Sequence, residues 1–237
     1  LDWGKSEGQS PKQLATYAAI GLWGDGAAYT NKDSLFLLLF TVVSGKCRRR
    51  FWICGFSKRV LCQCGCFGRC TFDSVFGVIA WVFRVLLAKK HPVVDHTGTP
   101  FPEGSHRANR AGQPLRVGGG CIAKCADWPW NKSVLGIRGW RGDKHTRRMC
   151  WICRAAFTEE HDCYNFREDA PWRRTMMTNN DFWTTARTER QYVSRIREVP
   201  GFTLATIRLD WMHVVCVGHL AISVGQLLLG VVRVPRW

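Results

Sequence analysis

Three apolar stretches, far apart in a 237-residue chain, each run into an aspartate: "LATYAAIGLWGDG" reaches Asp25, "CIAKCADW" reaches Asp127 and "TLATIRLDWMH" reaches Asp210. The first two read as strands with an acid at their end, and the third as strand up to Leu209 and helix from Asp210 onward. Taken singly these acids are ordinary. An aspartate between glycines, as Asp25 is, serves as a turn residue, and one before a helix, as Asp210 is, serves as an N-cap. Their shared context is what narrows the possible folds.

Between the acids, "LFLLLFTVV" (35–43) follows a polar turn at Asn31, Lys32 and Asp33 and reads as a second strand. "TFDSVFGVIAWVFRVLLAKK" (71–90) opens on Thr71 as N-cap and closes on Lys89 and Lys90, where cations suit a helix C-terminus. It is apolar nearly all round, which predicts a buried helix. Residues 91–120 read as a loop rich in Pro, Gly, His and Arg. The order strand with acid, strand, buried helix, strand with acid, insertion, helix with acid predicts an α/β fold of ribonuclease-H-like type, a mixed sheet with flanking helices. In such a sheet, acids distant in sequence converge at the ends of central strands. Carboxylates are the groups needed there, because Mg²⁺ or Mn²⁺ held by them activates a water or 3′-hydroxyl and stabilises the leaving oxygen of a phosphodiester.

The expected organisation is a polar linker (1–13), the N-terminal part of the domain (14–137), a basic Cys- and Trp-containing insertion (138–200), and a C-terminal strand and helix of the same domain (201–237). Residues 45–70, "GKCRRRFWICGFSKRVLCQCGCFGRC", mix Cys, Arg and Gly without period and read as an irregular or inserted segment. The chain starts at Leu1 and stops at "VVRVPRW" after an apolar run, and so reads as a piece of a longer protein.

The blocks "GLWGDGAAYT", "TFDSVFGVIAWVFRVLLAKKHPVVDHTGTPF", "ADWPWNKSVLGIRGW", "MCWICRA", "APWRRT" and "VPGFTLATIRLDWMHVV" follow one another in a specific order. That order resembles a large group of proteins from dinoflagellate genomes that are similar to the catalytic domains of CACTA-type cut-and-paste DDE transposases. The resemblance runs from residue 14 to about 229, leaving out 45–70. It implies DNA as partner, metal-dependent strand cleavage and transfer, a nuclear location, and Asp25, Asp127 and Asp210 as the three acids. Asp25 and Asp127 match the first two acids directly, while Asp210 is the natural place for the third. Two positions depart from the group's pattern: Cys216, where Asp is usual, and Ala126, where Gly is common before the aspartate. With the irregular 45–70 segment, these leave a degenerate, inactive copy as one form of the reading.

Charge agrees with a phosphate-bearing partner. Lys and Arg number 34 against 18 acids, a formal net charge of +16. Arg138, Arg141, Lys144, Arg147, Arg148, Arg173 and Arg174, interleaved with tryptophans such as Trp140 and Trp172, are the candidate phosphate contacts. No feature points to a small-molecule substrate. Cys150, Cys153, His161 and Cys163 supply a C-x₂-C pair and two further ligands, enough for a tetrahedral structural zinc. "CQCGCFGRC" (62–70) is a weaker metal candidate, having no histidine. Two readings compete with the nuclease: a non-catalytic, zinc-stabilised nucleic-acid-binding module, and a membrane-associated protein anchored by 214–232. The second suffers from His219 and Gln226 within the span.

Overall fold

A stretch of small and apolar residues interrupted by Asp25 builds the longest described strand, β1 (Tyr17–Ala28), and the Leu/Phe run after Asp33 builds β2 (Ser34–Val42). In the computed structural model, which describes residues 16–28, 33–44, 49–66, 68–136, 167–190 and 192–209, these two strands pair antiparallel, from Ile20 opposite Val42 to Ala28 opposite Ser34. β3 (Arg50–Ser57) extends the meander along the outer side of β2. A long helix, α1 (Arg69–Ala88), and a short one, α2 (His106–Arg110), then lead to β4 (Gly118–Ala126), which lies parallel to β1 on its other side. Helices α3 (Trp128–Leu135) and α4 (Asn179–Arg190) precede β5 (Ile207–Leu209), which is parallel to β4. The strand order is β3-β2-β1-β4-β5. The chain is thus α/β, a five-stranded mixed sheet with flanking helices, compatible with a ribonuclease-H-like arrangement.

The core forms where α1 meets the sheet. Phe72, Phe76, Ile79, Ala80 and Phe83 are buried and recur at helical spacing along one stripe. Phe72 meets the ring of Phe36 edge-on, with centroids 5.1 Å apart, and lies 5.5 Å from that of Phe56. Each large apolar side chain so buried contributes about 1.5–3 kcal/mol. The far side of α1 is only partly covered, since Val78 and Val82 are exposed. The expectation of a helix buried all round is therefore corrected: a single sheet face covers only a stripe. By length and composition α1 could cross a membrane, yet this stripe lies against the strands. The segment 192–198 is tied to the helix: Asp73 Oδ1 accepts from the Tyr192 hydroxyl and from Arg195 N, each at 3.0 Å.

Four local expectations also change. β1 runs three residues past Asp25, which pairs with Leu37 and so lies within a strand rather than in a turn or at a strand end. Residues 50–57 of the supposedly irregular segment form the edge strand β3. Its period-two pattern is broken by a register shift between Leu38 and Leu39, and its outer residues Phe51 and Trp52 face solvent. Helix α1 begins at Arg69, with Gly68 as N-cap and no side-chain cap, while the Thr71 hydroxyl instead accepts from Cys62 N at 3.0 Å. The supposed 91–120 loop contains α2 and the start of β4. Its glycines there admit the Tyr17 ring, which a Cβ on Gly118 would meet at 2.4 Å. The helix end agrees with expectation, Lys89 capping α1 in the left-handed region at φ 52°.

Candidate metal centres

The parallel pairing of β1 with β4 ends at Gly24 opposite Ala126, and that of β4 with β5 ends at Ala126 opposite Leu209. Gly24, Ala126 and Leu209 thus form one row across three adjacent strands, spanning two strand spacings, roughly 10 Å. The residue that follows each of them in the chain is an aspartate: Asp25, Asp127 and Asp210. Asp210 lies outside the described residues. The other two sit on neighbouring central strands, Asp25 exposed and Asp127 half-buried.

Each described carboxylate already makes a local bond through one oxygen. Asp25 Oδ1 accepts from Gly26 N at 2.7 Å, and Asp127 Oδ1 accepts from Trp130 N at 2.7 Å as the N-cap of α3. Among the described residues neither Oδ2 takes part in a hydrogen bond. Asp127 therefore fills the structural role of a cap while keeping an oxygen for another ligand. Two carboxylates, each one residue beyond the paired positions Gly24 and Ala126, are the donor type that a hard cation such as Mg²⁺ takes.

Beneath these acids lies a buried support that sequence reasoning missed. The Trp130 indole lies directly on β1, so that a Cβ on Gly24 would come within 2.4 Å of it. Lys124 is wholly buried, its Nζ donating to Asn131 Oδ1 and lying 3.6 Å from the centroid of the Trp130 ring. Asn131 Nδ2 in turn donates to Ala126 O at 3.3 Å. Burial holds the Lys124 ammonium well below the ordinary lysine range, with the nearby Cys125 and Asp127 pulling in the opposite direction. The network ties the first turns of α3 to the end of β4, which fixes the backbone that carries Asp127. Its one sequence signal was a lysine inside the apolar "CIAKCA".

A second cluster lies where β3 hands over to α1. The Sγ atoms of Cys62, Cys64, Cys66 and Cys70 all lie within 4.8 Å of one another, and those of Cys64 and Cys70 are 3.8 Å apart. The Cys70 backbone N–H beside Cys66 brings that thiol down to about 6, whereas Cys70, hydrogen-bonded first of all to Cys66, is pushed up to about 12. These four cysteines could hold a metal such as zinc. The quartet favoured from sequence, Cys150, Cys153, His161 and Cys163, lies outside the described residues, as does the apolar segment 214–232.

Of the proposed phosphate contacts, Arg173 and Arg174 are described, and both are exposed on the single-turn helix Pro171–Thr175. The Arg173 guanidinium lies 4.9 Å from the centroid of Trp172, and its Nε donates to Arg167 O at 2.8 Å. Arg138, Arg141, Lys144, Arg147 and Arg148 lie outside the described residues. No family model, curated protein or solved structure matches this chain.

Proposed function

We propose that the chain is a ribonuclease-H-like, transposase-derived protein that binds DNA and cuts or joins its strands with Mg²⁺ or Mn²⁺ held by Asp25, Asp127 and Asp210. The observation that carries this reading is the shared register: the three acids directly follow Gly24, Ala126 and Leu209, which pair across β1, β4 and β5. Acids spaced about a hundred residues apart have no local reason each to follow a member of one paired row, whereas a phosphodiester site needs them near one another. Bound metal would supply an activated water and neutralise the leaving oxygen. The chain's own part is positional. The bond from Trp130 N orients the Asp127 carboxylate, the Lys124–Asn131 pair fixes the strand end, and Arg173 and Arg174, with the basic residues of 138–148, hold phosphate.

The test is nicking of supercoiled plasmid by the purified chain in Mg²⁺ or Mn²⁺, alongside Asp25→Asn, Asp127→Asn and Asp210→Asn. Asparagine caps helices about as well as aspartate, so Asp127→Asn removes the charge and spares α3. Loss of cleavage by more than about 100-fold, beyond the cost of losing a group that only orients a metal ligand, with thermal unfolding nearly unchanged is the expected result. Cleavage that survives Asp25→Asn or Asp127→Asn removes those acids from the mechanism. The four-thiol cluster favours a second reading, a zinc-stabilised DNA-binding module without catalysis. It predicts salt-sensitive DNA binding that is lost on zinc chelation, with no nicking in any metal.

A further inference from the structure

We propose that Cys62, Cys64, Cys66 and Cys70 form a tetrahedral all-thiolate zinc site that pins the edge strand β3 to the start of α1. This inference stands apart from the nuclease reading, since it uses none of the acids and holds whether or not the chain cuts DNA.

The geometry comes first. A zinc ion with bonds of about 2.3 Å to four sulfurs spaces those sulfurs about 3.8 Å apart. Cys64 and Cys70 already stand at 3.8 Å, and the whole quartet lies within 4.8 Å, so closure needs at most a small contraction. Sequence proximity alone would not achieve this. In an extended chain Cys62 and Cys66 would be roughly 13 Å apart. Left-handed turns at Gly65 (φ 87°) and Gly68 (φ 82°) curl the loop instead, a conformation that side-chain-bearing residues rarely adopt.

Packing does not account for the cluster. Cys64 and Cys70 are exposed, so the thiols are not gathered by burial in an apolar core. The loop is nonetheless held by its backbone: Cys62 N donates to Thr71 Oγ1 at 3.0 Å, and Arg69 N to Cys66 O at 3.2 Å. Three ligands come from the loop and the fourth from the first turn of α1, so a bound ion would add a covalent tie to the contacts that already join them, the Phe56–Phe72 ring pair and the bond from Cys62 N to Thr71 Oγ1. Four thiolates around Zn²⁺ leave a net double negative charge. That charge lies at the positive end of the α1 dipole, beside an N-cap glycine with no side chain to offer, and in a stretch carrying Lys58, Arg59 and Arg69. Soft thiolates select zinc-class ions over Mg²⁺, so this site and the carboxylates do not compete for metal.

The experiment uses the full chain, reduced and then loaded with zinc alone, and maps alkylation of every cysteine by peptide mass spectrometry with and without a strong chelator. Zinc should protect Cys62, Cys64, Cys66 and Cys70 together, with the protection lost on chelation. Cobalt(II) in place of zinc should give the intense visible bands of a tetrahedral thiolate site. Replacing all four with Ser should remove one zinc per chain, while Cys54→Ser and the pair Cys150→Ser and Cys153→Ser should leave the protection of the four intact. The proposal is overturned if the four alkylate equally with and without zinc, if they resist alkylation only as disulfides, or if only copper(I) protects them. The alkylation map reads the unmutated chain and so decides the matter even if the quadruple variant fails to fold.

Discussion

The acids that follow the central strands and the cysteines before α1 are related in opposite ways. Asp25, Asp127 and Asp210 are about a hundred residues apart, and what relates them is strand register, which pairs their predecessors Gly24, Ala126 and Leu209. Cys62 to Cys70 span a single loop and converge because two glycines turn it. The first set depends on the whole sheet, and the second on a few dihedral angles and one helix start. Long-range convergence is therefore the more fragile of the two, and it is also the one whose local residues do double duty, as Asp127 does in capping α3.

Four changes test that contrast, taken from the largest effect to the smallest. Phe76→Ala empties the buried side chain under α1, which is 1% exposed, and should cost about 3–5 kcal/mol in denaturant unfolding. Both regions should fail together, and survival of nicking in a chain so destabilised would mean that the acids do not depend on this core. Gly24→Ala should cost about 1–3 kcal/mol by overpacking. Its Cβ would strike Trp130, the residue whose N–H holds Asp127, while zinc protection of the thiols should stay unchanged. Equal damage to both regions would erase the distinction between them. Asp127→Ala should lower stability by about 1 kcal/mol through loss of the cap, whereas Asp127→Asn should lower it by only a few tenths. Thermal unfolding of the two variants side by side separates the structural duty of this acid from its charge. Arg173→Ala and Arg174→Ala should each change stability by less than about 0.5 kcal/mol. Each should nonetheless reduce the salt dependence of DNA binding by about one ion, and an unchanged slope would detach this turn from any phosphate contact.

Legibility in the sequence followed the range of the interaction. The strands around Asp25 and before Asp127, and the long apolar helix, were visible because their patterns are local and strong. Edge strand β3 was not, since its residues are half exposed and its register shifts, so neither an apolar run nor a clean alternation marks it. The start of α1 was misplaced because Thr71 has the chemistry of a cap, but its hydroxyl is engaged by Cys62 N. The support under the acids, with Lys124, Trp130 and Asn131, was hidden for a different reason. A lone lysine in a strand gives no sign of burial until an indole and an amide from the next helix close over it.

By itself the sequence determined the chemistry on offer: three acids after apolar stretches, clustered thiols, a strongly basic composition, and the periodicity of the main helix. Those follow from residue identity and spacing, which the folded state does not alter. Only the tertiary structure decided which of these groups meet. The order of strands put Gly24, Ala126 and Leu209 in one row, and the turns at Gly65 and Gly68 chose Cys62, Cys64, Cys66 and Cys70 as a quartet. Register depends on packing between distant parts of the chain, and no local window of sequence contains that information.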